Sequence, residues 1–165
     1  MGKNKWISLT LPDEYRNQIN ELNNLIKLKL GDKYDQMDIN MLHMTAVFLG
    51  DKFNKIDLVN EVIINNNNIE YNLEFEEASV FPPEKKNLIV LKFKNNNVLK
   101  KVITEMKNKL NINEERFLAH ITLGKLSISK HDSPDFNKTL TETLNEINKT
   151  NNLNFRTNGF YLCGF

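Results

Sequence analysis

The chain has 165 residues, with 22 basic and 21 acidic side chains, a formal net charge of +1, 40% hydrophobic residues and one cysteine. That length suits a single domain with a real core. The balanced charge argues against a protein that coats long nucleic acids, which must neutralise many phosphates at once. No run approaches the roughly 18 apolar residues of a membrane span, and MGKNKWISLTLP lacks the apolar core and cleavage site of a secretion signal. Cys163 has no possible partner within the chain, so a reducing compartment is expected. These features together predict a cytoplasmic monomer, residues 1–165 forming one domain with no membrane contact.

Trp6 to Leu11 is a short β-prone run closed by Pro12, and Pro-Asp-Glu then opens a helix. Ile19, Leu22, Leu25, Ile26, Leu28 and Leu30 recur at roughly helical spacing, and Gly31 supplies the stop. The polar segment 31–40 reads as a loop. Met41 to Leu49 is a strongly apolar strand ending at Gly50, and Ile56 to Ile64 a short helix. Tyr71 to Val80 and Asn87 to Lys94 read as two strands joined through Phe81-Pro82-Pro83-Glu84, since paired prolines stay out of a central ladder. Val98 to Leu110 carries one apolar helical stripe, and Leu118 to Leu126 is again a strand. Pro134 to Asn148 is a helix with Ser133 as N-cap, and Leu153 to Leu162 is a closing strand. Adjacent strands alternating with helices predict an antiparallel α+β arrangement.

The informative feature is an approximate repeat. LHMTAVFLG (42–50) and AHITLGKL (119–126) both place His-x-Thr in an apolar strand. Residues two apart on a strand share a face, so each strand offers an imidazole and a hydroxyl side by side: His43 with Thr45, and His120 with Thr122. A lone histidine in such a strand is usually a satisfied core residue, but a duplicated unit using two of the chain's three histidines calls for a chemical reason. Cleaving a phosphodiester beside a ribose hydroxyl needs a base for the nucleophile and an acid for the leaving oxygen. Two histidines supply both near neutral pH, in either assignment of roles. Threonine hydroxyls can donate to the non-bridging oxygens as charge builds there, and no metal or cofactor is required. His131, in Lys130-His131-Asp132, reads as an exposed loop residue, and Cys163 has no adjacent base to make it a nucleophile.

With these motifs the chain resembles the 2H phosphoesterase superfamily over nearly its whole length. WISLTLPDEYRNQI is similar to the family's opening strand and helix, and LHMTAVFLG and FLAHITLGKL to its two motifs. Val80-Phe81-Pro82 followed by NLIVLKF is similar to the intervening strands of bacterial RNA 2′,3′-cyclic phosphodiesterases of the 2′-5′ RNA ligase-like group. FYLCGF resembles the closing strand of the 2′,5′-phosphodiesterase domain of A-kinase anchoring proteins. The resemblance implies a bilobal LigT-like fold, with two antiparallel sheets and outer helices flanking a central cleft. It also implies acid/base roles for His43 and His120 and phosphate contacts for Thr45 and Thr122. Where many bacterial members carry Arg after the glycine of the second motif, this chain has Lys125, which keeps the charge and loses the bidentate fork. Leu118-Ala119 likewise replaces the proline common before the second histidine.

Trp6, Tyr34, Phe81 and Phe117 are candidates to stack on a base, and Lys85 and Lys86 read as solvated. The expected substrate is a short or cyclic oligonucleotide with a 2′,5′ bond, either 2′,5′-oligoadenylate or 2′,3′-cyclic GMP-AMP. A viral antagonist of innate immune nucleotide signalling would have such an activity. The alternatives are an RNA 2′,3′-cyclic phosphodiesterase acting on RNA or tRNA ends and small cyclic phosphates, and a catalytically silent nucleotide-binding module.

Overall fold

The computed structural model describes residues 4–113, 117–127, 134–149 and 152–164. The first strand, β1 (Lys5–Leu9), is buried from Trp6 to Leu9 and becomes the centre of a sheet. Helix α1 (Asp13–Leu30) follows Pro12, with Asp13 and Glu14 in its first turn and Lys27 and Lys29 in its last, both favourable to the helix dipole. Gly31 ends it at φ 65°, a conformation that suits glycine, with its N–H on the Lys27 carbonyl. The buried stripe is Tyr15, Ile19, Asn23, Ile26 and Leu30. Leu25 and Leu28, counted in the sequence periodicity, fall off that stripe and are 55% and 81% exposed.

The segment expected to be a loop contains two 3₁₀ turns, Gly31–Lys33 and Ile39–Met41, and between them a short strand, β2 (Tyr34–Gln36). The remaining elements are β3 (Met44–Gly50), α2 (Ile56–Asn65), β4 (Tyr71–Leu73), β5 (Phe75–Phe81), β6 (Leu88–Phe93), α3 (Asn97–Lys109), β7 (His120–Leu126), α4 (Pro134–Asn148), β8 (Phe155–Thr157) and β9 (Phe160–Gly164). Two single strands of the sequence reading are each two strands: the chain leaves one sheet at Glu74 and again at Asn158–Gly159, sending β4 and β8 to a two-stranded sheet of their own. Ser133 lies outside the described residues.

The strands form a sheet of order β3-β1-β9, a sheet of order β2-β7-β6-β5, and the pair β4-β8, every pairing antiparallel. Helices α2 and α3 pack on the first sheet through β9 and β3, while α1 and α4 cover the second through β2 and β5. The sheets meet where β3 contacts β7, so the strands following the two His-x-Thr motifs are neighbours across the lobe boundary. The architecture is therefore α+β and bilobal, with helices outside.

Both motif strands are bulged at the same place. In β3, Thr45 faces Ser8 and Val47 faces Ile7, leaving Ala46 unopposed. In β7, Thr122 faces Val90 and Gly124 faces Ile89, leaving Leu123 unopposed. A bulge re-aims the side chains beyond it and strengthens local twist. The extra Leu123 carbonyl accepts from the Met37 N–H (2.9 Å) and from Asn23 Nδ2 (2.8 Å), and the Tyr34 hydroxyl donates to Asn23 Oδ1. Gly124 lets Tyr34 approach: a Cβ there would lie 2.5 Å from the Tyr34 ring and hydroxyl and 2.6 Å from the Asp35 carbonyl oxygen. Gly124→Ala is expected to lower stability by about 1–3 kcal/mol, as overpacking a tight core does, with an earlier midpoint in urea unfolding. An unchanged midpoint would show that Tyr34 and β2 can move aside at no cost.

Candidate active site

His43 stands between the Ile39–Met41 turn and β3, just outside the ladder, and His120 is the first residue of β7. Each ring is held in the same way. His43 Nδ1 lies 2.8 Å from the Met41 carbonyl oxygen, and His120 Nδ1 lies 2.8 Å from the Leu118 carbonyl oxygen. A carbonyl only accepts, so each Nδ1 carries the hydrogen and each neutral ring keeps its lone pair on Nε2. Each imidazole also rests against an aromatic ring at a similar tilt: Trp6 at 5.1 Å and 34° from His43, Phe81 at 5.7 Å and 36° from His120.

The threonines continue the two surfaces. Thr45 heads the cross-strand row Thr45–Ser8–Tyr161, and Thr122 heads the row Thr122–Val90–Ser79. Both threonines are half-buried, and the Ser8 and Ser79 hydroxyls are buried with no hydrogen-bond partner among the described residues. The His43 pKa is lowered. Burial is the main cause; the Met41 carbonyl opposes it, and the charges of His120 and Arg16 add to it. The two imidazoles therefore sense each other across the boundary. A cleft of about 250 Å³ opens beside His43, lined by Trp6, Asn40, Met41, Tyr161 and Cys163 among others. Larger hollows of about 640, 410 and 390 Å³ open elsewhere and include none of the four motif residues. Among the described residues no three His, Cys, Asp or Glu side chains gather as ligands for a metal ion.

The other candidates separate. Trp6 is 7% exposed and backs His43, leaving little ring for a base. Phe81 backs His120 in the same manner and remains half-buried at the cleft. Lys125 is exposed, and the bulge returns it to the face of Thr122, because it opposes Leu88 two residues from Val90. Tyr34 is fully buried on the opposite face, its hydroxyl on Asn23, so it cannot stack on a ligand; its role is to support the β7 bulge. Phe117 lines the hollow of about 410 Å³ along α3 with Lys100 and Lys107. Cys163 lines the His43 cleft beside Tyr161, whose pKa is raised chiefly by burial. His131 lies outside the described residues.

Three residues absent from the sequence reading belong here. Arg16 reaches from α1 to donate to the carbonyls of Ile39 (2.9 Å) and Leu42 (2.6 Å), bracketing the turn that presents His43. Phe48 opposes Trp6 and is 48% exposed on the Thr45 face. Lys92 opposes His120.

The fold is one that solved structures share. E. coli LigT complexed with 3′-AMP is similar with a TM-score of 0.70 and 16% identity, over 99% of this chain and 88% of that one. The fold is LigT-like. TT0787 of Thermus thermophilus has the same LigT-like architecture (TM-score 0.66, 16% identity, 96% of this chain and 86% of that one). The MHV ns2 PDE domain matches with a TM-score of 0.63 and 12% identity over 99% of both chains. No protein-family model matches the sequence, and no curated protein does.

Within the LigT-like frame, Arg16 is expected to hold His43 in both place and charge state. Arg16→Gln should raise the His43 pKa toward the ordinary 6.5 in an NMR titration and cost about 1.5–3 kcal/mol of stability, the scale of hydrogen bonds from a charged group. Arg16→Lys should keep the charge effect and lose the double bond to the turn. The folded state binds a proton on His43 less readily than the unfolded chain does, so stability is full above about 6.5 and falls as pH drops through the lower folded value. His43→Gln should flatten that acid-side fall.

Proposed function

We propose that the chain is a metal-independent phosphodiesterase acting on short or cyclic nucleotides with a 2′,5′ bond, such as 2′,5′-oligoadenylate or 2′,3′-cyclic GMP-AMP. The observation that carries the reaction class is the pair of Nδ1-anchored imidazoles, each with a free Nε2 and a threonine beside it. In a 2′,5′ linkage the free 3′-hydroxyl is the internal nucleophile. His43, kept neutral by burial and neighbouring charge, takes the 3′-hydroxyl proton as the oxygen attacks phosphorus. The P–O5′ bond breaks, and His120 in its protonated form delivers a proton to the leaving 5′-oxygen. The products are a 2′,3′-cyclic phosphate and a free 5′-hydroxyl. Thr45 and Thr122 donate to the non-bridging oxygens as negative charge accumulates.

The linkage reading rests on the likeness of FYLCGF to the closing strand of a 2′,5′-phosphodiesterase domain. An enzyme of this kind, acting in the cytoplasm of an infected cell, would antagonise innate immune nucleotide signalling. The second reading, hydrolysis of terminal 2′,3′-cyclic phosphates, is favoured by the likeness of Val80-Phe81-Pro82 and NLIVLKF to the strands of bacterial RNA 2′,3′-cyclic phosphodiesterases, and Lys125 in place of their arginine counts against it.

A panel with EDTA present separates them: 2′,5′-oligoadenylate, 2′,3′-cyclic GMP-AMP, its all-3′,5′ isomer and 2′,3′-cyclic nucleotides. Cleavage of the first two with sparing of the isomer is expected. Turnover of the cyclic nucleotides alone would favour the second reading, and complete loss of activity in EDTA would overturn the mechanism. His43→Ala and His120→Ala should each reduce kcat by about 10²–10⁴-fold, the usual worth of a positioned acid or base, with the circular dichroism spectrum preserved. The acid limb of the kcat/KM profile should lie below pH 6.5, since the base half needs neutral His43 and its pKa is lowered.

A further inference from the structure

The two halves of the site are built alike and charged differently. The strands β3-β1-β9 and β7-β6-β5 form equivalent three-stranded units, so Thr45, Ser8 and Tyr161 correspond to Thr122, Val90 and Ser79. One step further along, the second unit carries the row His120–Lys92–Glu77. The first unit has His43 and, two residues past Ser8, the neutral Thr10, whose N–H continues the β1–β9 pairing to the Gly159 carbonyl (2.9 Å). Within this row a cation therefore stands opposite His120, and a neutral residue holds the corresponding place beside His43.

Resting on the phosphodiesterase reading, we infer that Lys92 is a phosphate-binding residue whose ammonium holds a non-bridging oxygen of the scissile phosphate on the His120 side of the cleft. Lys92 is the cross-strand partner of His120, on the face where the imidazole stands. Its side chain is 25% exposed, sheltered yet open to a ligand, and Nζ lies 5.9 Å from the centre of the Phe81 ring that backs His120. Glu77 approaches to 4.0 Å, beyond hydrogen-bond length, which orients the ammonium and leaves its donors for an anion. The chemistry needs such a group. The phosphorane gains a negative charge that two neutral hydroxyls meet only in part, and the His120 imidazolium gives up its proton during the step. Arg16 does not serve, because its guanidinium is turned to the Ile39 and Leu42 carbonyls behind His43.

The test compares Lys92→Gln and Lys92→Arg with Lys94→Gln, a matched loss of charge at an exposed residue paired with Glu74 (3.5 Å). Calorimetric titration with inorganic phosphate and kcat/KM on the panel are read for each. For Lys92→Gln, phosphate affinity and kcat/KM should both fall roughly ten- to a hundredfold, the worth of one charge-assisted hydrogen bond. Lys92→Arg should restore most of both, and Lys94→Gln should match the wild type. Equal phosphate affinity in the wild type and Lys92→Gln overturns the site. So does an equal loss in Lys94→Gln, a wild type that binds no phosphate, or a lowered melting temperature with affinity unchanged. If the wild type binds phosphate through Lys92 and cleaves no panel member, the phosphodiesterase reading fails and the anion site stands.

Discussion

The site depends on one hydrogen bond made twice: a ring nitrogen donating to the carbonyl two residues back, Nδ1 of His43 to Met41 and Nδ1 of His120 to Leu118. Each bond settles the tautomer and the ring direction together. It also fixes which nitrogen remains to exchange protons, because the hydrogen at Nδ1 is committed to the backbone. Much of the surrounding structure keeps those two carbonyls in place. Arg16 ties the Met41 turn to α1. On the other side, the Phe93 N–H bonds the Ala119 carbonyl (2.9 Å), carrying the β6–β7 pairing up to the residue before His120.

A duplicated unit yields a symmetric cleft by default, whereas the acid–base cleavage proposed for it needs two different halves. The scaffold supplies the difference outside the motif. The β3 lobe buries His43 and sets Arg16 near it, both of which disfavour the imidazolium. The β7 lobe sets Lys92 opposite His120. The shared bulges have a separate effect. By skipping Ala46 and Leu123 they bring Phe48 and Lys125 onto the same faces as Thr45 and Thr122, so a cleft walled by sheets gains an apolar rim on one lobe and a charged one on the other.

The candidate site was legible because its pattern is local: His-x-Thr inside apolar strands is visible within nine residues, and its repetition separates it from a lone histidine. The helices were legible from apolar spacing and end signals, although Leu25 and Leu28 show that counting apolar residues overstates the buried stripe. What escaped is non-local. Tyr34, a candidate base-stacking ring in a segment that reads as a loop, is core because β7 pairs with β2 and Gly124 leaves room for its ring. Arg16 sits 23 and 26 positions from the residues whose carbonyls it binds, and Lys92 gains meaning only from the β6–β7 register. The breaks at Glu74 and Asn158–Gly159 were invisible because apolar residues resume directly beyond them and only the sheet partner changes.

The central claim is that two Nδ1-anchored imidazoles converge on one anion. It is tested most directly by long-range ¹H–¹⁵N NMR of the histidine rings with and without inorganic phosphate. The structure predicts protonated Nδ1 on both His43 and His120 in the neutral rings, and on adding phosphate a joint shift of their Nε2 resonances that His131 does not share. A shift confined to one of the two rings, or protonation at Nε2 in the free protein, would contradict it.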